Sequence, residues 1–200
     1  MRFGTFFWPC QRLEEMKENI EHHNELRIPK KDTCYVRIYP DPILIKKAAP
    51  VQNIDEKIKT VVDRMAEVMY ANKGIGLAAP QIGVLRQIIV VDTGEGLRAL
   101  INPEIVEGEG ESLMEEGCLS LPNIQVPVKR MEKIFIRAWD ENGKELRLEL
   151  TGFPGRVYQH EIDHLNGILI IHHISRLKRE LLVKRMLKDL RQSQGKGSIL

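Results

Sequence analysis

The chain has 200 residues, 42% of them apolar, and 30 basic against 28 acidic side chains leave a formal charge of +2. One domain with a substantial core follows, burying about 70% of the surface that the unfolded chain exposes. Near-neutral charge gives no global case for nucleic-acid binding, and no apolar run reaches the ~18 residues of a membrane span; three cysteines, Cys10, Cys34 and Cys118, make an odd set that fits a reducing compartment better than a disulfide framework.

Residues 1–35 open with Phe3, Phe6, Phe7, Trp8 and Pro9. A charged segment of helical character follows from Arg12 to Leu26, with five glutamates. A secretory signal needs a longer apolar core and a small-residue cleavage site, and an organellar transit peptide is poor in acids. The segment therefore reads as a disordered or loosely docked extension. Two alternatives stand beside that: a true start at Met16 or later, or an aromatic cluster that packs against another subunit.

From Asn53 to Lys73 the residues Ile54, Ile58, Val61, Val62, Met65, Val68 and Met69 recur at helical spacing. They predict a helix capped by Asn53 and ended by Gly74. This stripe is core rather than a cofactor box. Residues 74–83 read Gly-Ile-Gly-Leu-Ala-Ala-Pro-Gln-Ile-Gly, and the glycines allow close backbone approach to a ligand. This is not the dinucleotide fingerprint, because the third glycine is absent and a helix rather than a strand precedes it. Gln87–Asp92 and Leu97–Ile101 read as strands joined by a turn around Gly94–Gly96. Cys118 sits in Glu-Gly-Cys-Leu-Ser-Leu-Pro at 116–122, a poor context for a helix and a fair one for a short strand. A lone cysteine is commonly a small buried hydrophobe; as a thiolate it can ligate a metal. Lys133–Trp139 and Glu145–Leu150 alternate around Asp140-Glu-Asn-Gly143, a hairpin signal.

Residues 154–166 predict a helix with Pro154 in its first turn. Within it His160, Glu161 and His164 form an H-E-x-x-H motif. Positions i and i+4 share a helix face, so both imidazoles reach one ion, and Glu161 stands beside that ion without ligating it, ready to take a proton from the attacking water. The bland alternative is an ordinary helix with two histidines and a surface glutamate. A catalytic site needs a third protein ligand. Downstream stand His172, His173 and, later, Glu180; upstream stands Cys118. The last helix, about Ser175–Gln192, places Leu177, Leu181, Met186 and Leu190 on one face, with Arg176, Lys178, Arg179, Lys184, Arg185, Lys188 and Arg191 around it. It reads either as a packed amphipathic helix with a solvated basic face or as a helix that docks on ribosomal RNA through phosphates. The fold class is α+β: antiparallel β-sheets wrapped around a central metal-binding helix, with a C-terminal helix.

Three segments in order, 74–81, 116–120 and 159–165, together with the opening Arg-Ile-Tyr-Pro-Asp-Pro-Ile-Leu at 37–44, resemble the peptide deformylase family. The resemblance implies a catalytic domain over 36–192, between the extension at 1–35 and a flexible tail at 193–200. It implies hydrolytic removal of the N-formyl group from nascent chains beginning with formyl-methionine, in the cytoplasm. Cys118, His160 and His164 would hold one divalent metal. Fe(II) is favoured because a thiolate donates more charge than an imidazole or a carboxylate, while zinc, nickel or cobalt can occupy such a site. Glu161 would be the base. Gln81 and the Leu119 N–H would stabilise the oxyanion. Ile75, Gly76 and Gly117 would pair with the substrate backbone, and Ile75, Phe153, Arg156 and Val157 would form the methionine pocket. One departure is Gly155, where many members carry alanine. Asp163, between the ligands, reads as a salt-bridge partner. Expected partners are formyl-methionyl peptides and the ribosome, with no DNA or membrane, as a monomer or homodimer. The competing readings are a general H-E-x-x-H metallopeptidase and a non-catalytic metal-stabilised binding protein.

Overall fold

The computed structural model describes residues 35–196, with side chains to residue 192. The readings for 1–34 and for 197–200 lie outside the described residues; the last helix itself runs on to Lys196.

The order of elements is α1 (Glu56–Ala71), β1 (Gly76–Ala78), β2 (Ile88–Val91), β3 (Arg98–Glu109), β4 (Ser112–Gly117), β5 (Gln125–Arg130), β6 (Lys133–Trp139), β7 (Glu145–Thr151), α2 (Gly152–Leu165) and α3 (Arg176–Lys196), with short 3-10 turns at Pro42–Ile45, Ala79–Ile82 and Ile170–His173. One antiparallel sheet has the order β1-β2-β3-β6-β7; β4 and β5 form a second, two-stranded one.

The sheet is covered on both sides, and β2 shows why its sequence is Ile-Ile-Val-Val without alternation. Ile88 and Val90 pack with α1, through Ile58, Val61, Val62, Met65 and Met69. Ile89 and Val91 pack on the other face with Val157, Tyr158, Ile162 and Leu165 of α2. A strand buried on both faces needs apolar residues at every position. A third cluster joins β5 (Val126, Val128), the turn residues Ile170 and Ile171, and Met186 of α3.

Several boundaries differ from the sequence reading. Asp55, not Asn53, caps α1, its carboxylate accepting from the Lys57 and Ile58 amides at 3.0 and 3.1 Å. Both residue types cap well, so only the geometry separates them. The helix does not end on Gly74: Asn72 is its last half-helical residue and Lys73 takes the left-handed position at φ 55°. Cys118 lies one residue beyond β4, in the turn towards β5, rather than within a strand. β3 extends past Ile101 to Glu109 through register shifts on either side of Glu104 and Ile105. At that irregularity Asn102 clamps the loop before α1, exchanging side-chain bonds with the Val51 N–H and C=O at 2.8 and 2.9 Å. The apolar stripe of α3 is also rotated from the one expected. Met186 is buried, and Leu182, Val183, Leu187 and Leu190 pack beside it, whereas Leu177 and Leu181 face solvent.

Candidate metal centre

The glycine at 152 has φ 65° and turns the chain directly from β7 into α2. Gly155 in the first turn gives that corner room: a Cβ there would lie 3.1 Å from the Leu150 carbonyl oxygen, so an alanine needs the backbone to give by a few tenths of an ångström. α2 then lies against β1, β2, β6 and β7, with Glu161 and His164 buried.

His160 and His164 share one face, ring centroids 5.0 Å apart and nearly perpendicular. The turn after β4 brings Cys118 to the same point. Its Sγ is 3.2 Å from His164 Nε2, and one donor atom from each of Cys118, His160 and His164 lies within 4.8 Å of the others. Donors about 2.0–2.3 Å from a common centre have such separations, and three protein ligands leave a fourth position open. Two further atoms have no hydrogen-bond partner although buried: Glu161 Oε2 and His164 Nδ1. The three donors, one of them a soft sulfur, fit a divalent transition metal.

Burial opposes charge on both imidazoles. At His160 the hydrogen bonds to Cys118 and Glu116 outweigh burial and hold the ring above its ordinary pKa; at His164 burial, with His160 and Arg130 nearby, pushes it down. Glu161 is raised to about 7 by burial, against the opposing pull of His160 and Arg130.

Gln81 sits in the 3-10 turn after β1, 2% exposed. Its Oε1 accepts from the Ala78 N–H at 2.8 Å, which turns Nε2 towards Ser120 Oγ (3.1 Å) and Cys118 Sγ (3.8 Å). The carboxamide orientation is thus set by the backbone. Leu119 follows Cys118, and its side chain packs into the α1 cluster. Gly76 on β1 lies so close to Glu161 that a Cβ would overlap the carboxylate.

A cleft of about 820 Å3 opens over these groups, with Gly76, Gly117, Ile75, Phe153, Arg156 and Val157 in its lining. Ile75 and Phe153 present exposed side chains. Arg156 is committed elsewhere: its guanidinium donates to Glu116 Oε1 (2.7 Å), the Val128 carbonyl (2.9 Å), and the Ser112 carbonyl and hydroxyl (2.9 and 2.7 Å).

The structure adds residues that the sequence reading did not assign. Glu116 Oε2 lies 3.0 Å from His160 Nδ1, and Arg130 grips both Glu116 oxygens at 2.6 and 2.9 Å. Burial would raise the Glu116 pKa, but His160 and Arg130 hold it down at about 2. The available signal was the spacing: Glu116 stands two residues before Cys118 at the end of a strand, and side chains two apart share a face. Asp163 forms the expected salt bridge, to Arg130 at 2.9 Å. The downstream histidines are otherwise engaged: His172 Nδ1 accepts from the Leu169 N–H, and His173 Nε2 meets Asp163.

A family model described as "Polypeptide deformylase" matches residues 34–180. The chain is 51% identical over 155 residues to a peptide deformylase of Thermodesulfovibrio yellowstonii, covering 75% of this chain and 94% of that protein. It is 52% identical over 140 residues to peptide deformylase 1 of Clostridium perfringens, covering 69% and 95%. The crystal structure of peptide deformylase from Thermotoga maritima superposes with a TM-score of 0.69 at 45% identity, covering 71% of this chain and 97% of that one. That of Ehrlichia chaffeensis in complex with actinonin gives 0.76 at 34%, covering 78% and 96%.

Proposed function

This chain belongs to the polypeptide deformylase family, and on that premise we propose how its cleft removes the N-formyl group from the N-terminal methionine of nascent proteins, releasing formate. The observation that carries the reading is one of convergence: Cys118, His160, Glu161 and the Gln81 amide line one cleft, the buried His164 brings its donor to within 4.8 Å of those of Cys118 and His160, and Glu161 Oε2 has no hydrogen-bond partner.

Cys118, His160 and His164 hold the ion. When bound, a divalent metal supplies a Lewis acid that polarises the formyl carbonyl and makes water a better nucleophile at neutral pH. Glu161 takes one proton from the attacking water as its oxygen bonds to the formyl carbon. Burial raises the Glu161 carboxyl in the metal-free site, which suits a base that must hold the proton before passing it on. The Gln81 Nε2–H and the Leu119 backbone N–H receive the oxyanion. Preorganised donors of this kind are worth about 2.7–4 kcal/mol each, and the Ala78 bond holds Gln81 in place beforehand. Glu161 then gives its proton to the departing amine, the C–N bond breaks, and formate and a free α-amine remain.

The substrate backbone lies between two sheet edges, Ile75–Gly76 on one side and Gly117 on the other, with the methionine side chain against Ile75, Phe153 and Val157. Arg156 shapes that pocket from behind, through Glu116 and Ser112. The thiolate favours Fe(II) in this site, and zinc, nickel or cobalt can occupy it. The enzyme works in the cytoplasm, as a monomer or homodimer. The basic residues of α3 dock it on ribosomal RNA; Arg176, Lys178, Lys184, Arg185, Lys188 and Arg191 are all exposed.

The deciding measurement is formate release from formyl-Met-Ala-Ser by anaerobically purified, iron-loaded protein, set against Glu161→Ala. Wild type turning over no faster than the variant would sink this reading.

A further inference from the structure

We propose that His173, in the turn that roots α3, is a positioning residue for the metal centre, acting through Asp163, Arg130 and Glu116 on His160. The inference rests on His160 being a metal ligand, as proposed above.

Four segments meet in one connected chain of hydrogen bonds. His160 Nδ1 lies 3.0 Å from Glu116 Oε2, which fixes the ring and leaves Nε2 for the ion. Glu116 is held in turn by Arg130 Nε and Nη2 at 2.6 and 2.9 Å. The remaining Arg130 nitrogen, Nη1, reaches Asp163 Oδ2 at 2.9 Å. His173 Nε2 closes on that same oxygen at 2.9 Å. The participants come from β4, β5, α2 and the Ile170–His173 turn.

The geometry decides what each link does. Glu116 and Arg130 are buried, with side chains 7% and 5% exposed, so their fork has little freedom. Asp163 and His173 are the open end, at 21% and 28%. Asp163 sits one residue before the ligand His164 and cannot keep Arg130 in place if its own carboxylate swings to solvent. His173 donates to the oxygen that Arg130 uses and so holds that carboxylate inward. The turn that presents His173 is itself anchored by Ile170 and Ile171 in the cluster shared with β5 and α3. Outer partners of a metal-bound histidine set its orientation, and their loss typically costs about 10–100-fold in metal affinity when they touch the ligand directly. His173 acts at three removes, so its share is smaller.

The test uses the full chain loaded with Co(II), whose visible spectrum reports ligand geometry, and EDTA to follow metal release. His173→Ala is expected to release Co(II) about three- to tenfold faster and to shift the thiolate-to-cobalt band. His173→Gln, whose amide can donate to Asp163, should return both within about twofold of wild type. Adding His173→Ala to Asp163→Asn should do no further harm, because both cut the same link. Asp163→Asn keeps the side-chain size and reads the same spectrum should His173→Ala fold poorly. Wild-type release and an unchanged spectrum in His173→Ala overturn the proposal. So does equal damage from the alanine and glutamine variants, or additive damage in the double variant. A wild-type chain that takes up no Co(II) defeats the ligand assignment first and this inference with it.

Discussion

Gly76→Ala isolates the placement of the base from every other part of the site. The residue has no left-handed backbone angle, so alanine strains nothing locally. Its Cβ, however, would overlap Glu161 Oε1 and stand 3.0 Å from Cδ and Cγ. Glu161 is 4% exposed on a packed helix and β1 is pinned to β2, so the carboxylate must shift by about an ångström or the strand edge must back away. Either movement takes the base out of line with the attacking water. Misplacement of that size costs about 100-fold, equivalent to about 2.7 kcal/mol of barrier. The loss should fall on kcat rather than KM, because the peptide N–H and C=O that pair with substrate remain. Steady-state formate release with metal content measured in parallel checks this. Glu161→Asp in the same chain supplies the control: the shorter side chain makes room, so the double variant should be no worse than Glu161→Asp alone. A Gly76→Ala enzyme within about threefold of wild type, or one that loses activity only because it loses metal, would refute the steric argument.

Gln81→Ala removes the proposed oxyanion donor and its 3.8 Å contact with Cys118 Sγ while leaving the three candidate ligands in the chain; kcat should fall about 10²–10³-fold with metal stoichiometry unchanged, read by turnover and metal analysis. Arg130→Met removes two bonds to the buried Glu116 and leaves it with Arg156 and His160, and should destabilise the fold by about 1.5–3 kcal/mol in chemical denaturation of the metal-free protein. Lys73→Gly relieves a left-handed residue at φ 55°, worth about 1–2 kcal/mol, against about 0.4–1 kcal/mol for glycine's added freedom in the unfolded chain, so the net stabilisation should be below about 1.5 kcal/mol and is read as a small rise in melting temperature.

Legibility in the sequence followed contiguity. α1 was readable because one apolar stripe spans the whole helix, and the β6–β7 hairpin because its strands alternate about Asp140–Gly143. The candidate ligands on α2, His160 and His164, were legible as a pair because they fall within one helical turn and a half. β4 and β5 were not. Ser112–Gly117 exposes four of its six residues, and β5 carries Pro127, which argues against a strand unless the strand lies at an edge, as here. Cys118 entered through the family pattern rather than through its own surroundings. The carboxylate–guanidinium links behind the site join residues 14 and 33 positions apart, Glu116 to Arg130 and Arg130 to Asp163. No local periodicity announces such pairs; only the folded sheet brings them together.

The double burial of Ile88–Val91 has a consequence for how the molecule opens. α1 and α2 cannot separate from the sheet independently, because each would strip one face of the same four-residue strand. Amide protons of β2 should therefore exchange with deuterium only when the domain unfolds as a unit, and at the rate set by global rather than local opening. The strand that touches no substrate thus ties the helix carrying Glu161 to the helix on the far side of the sheet in one cooperative folding unit.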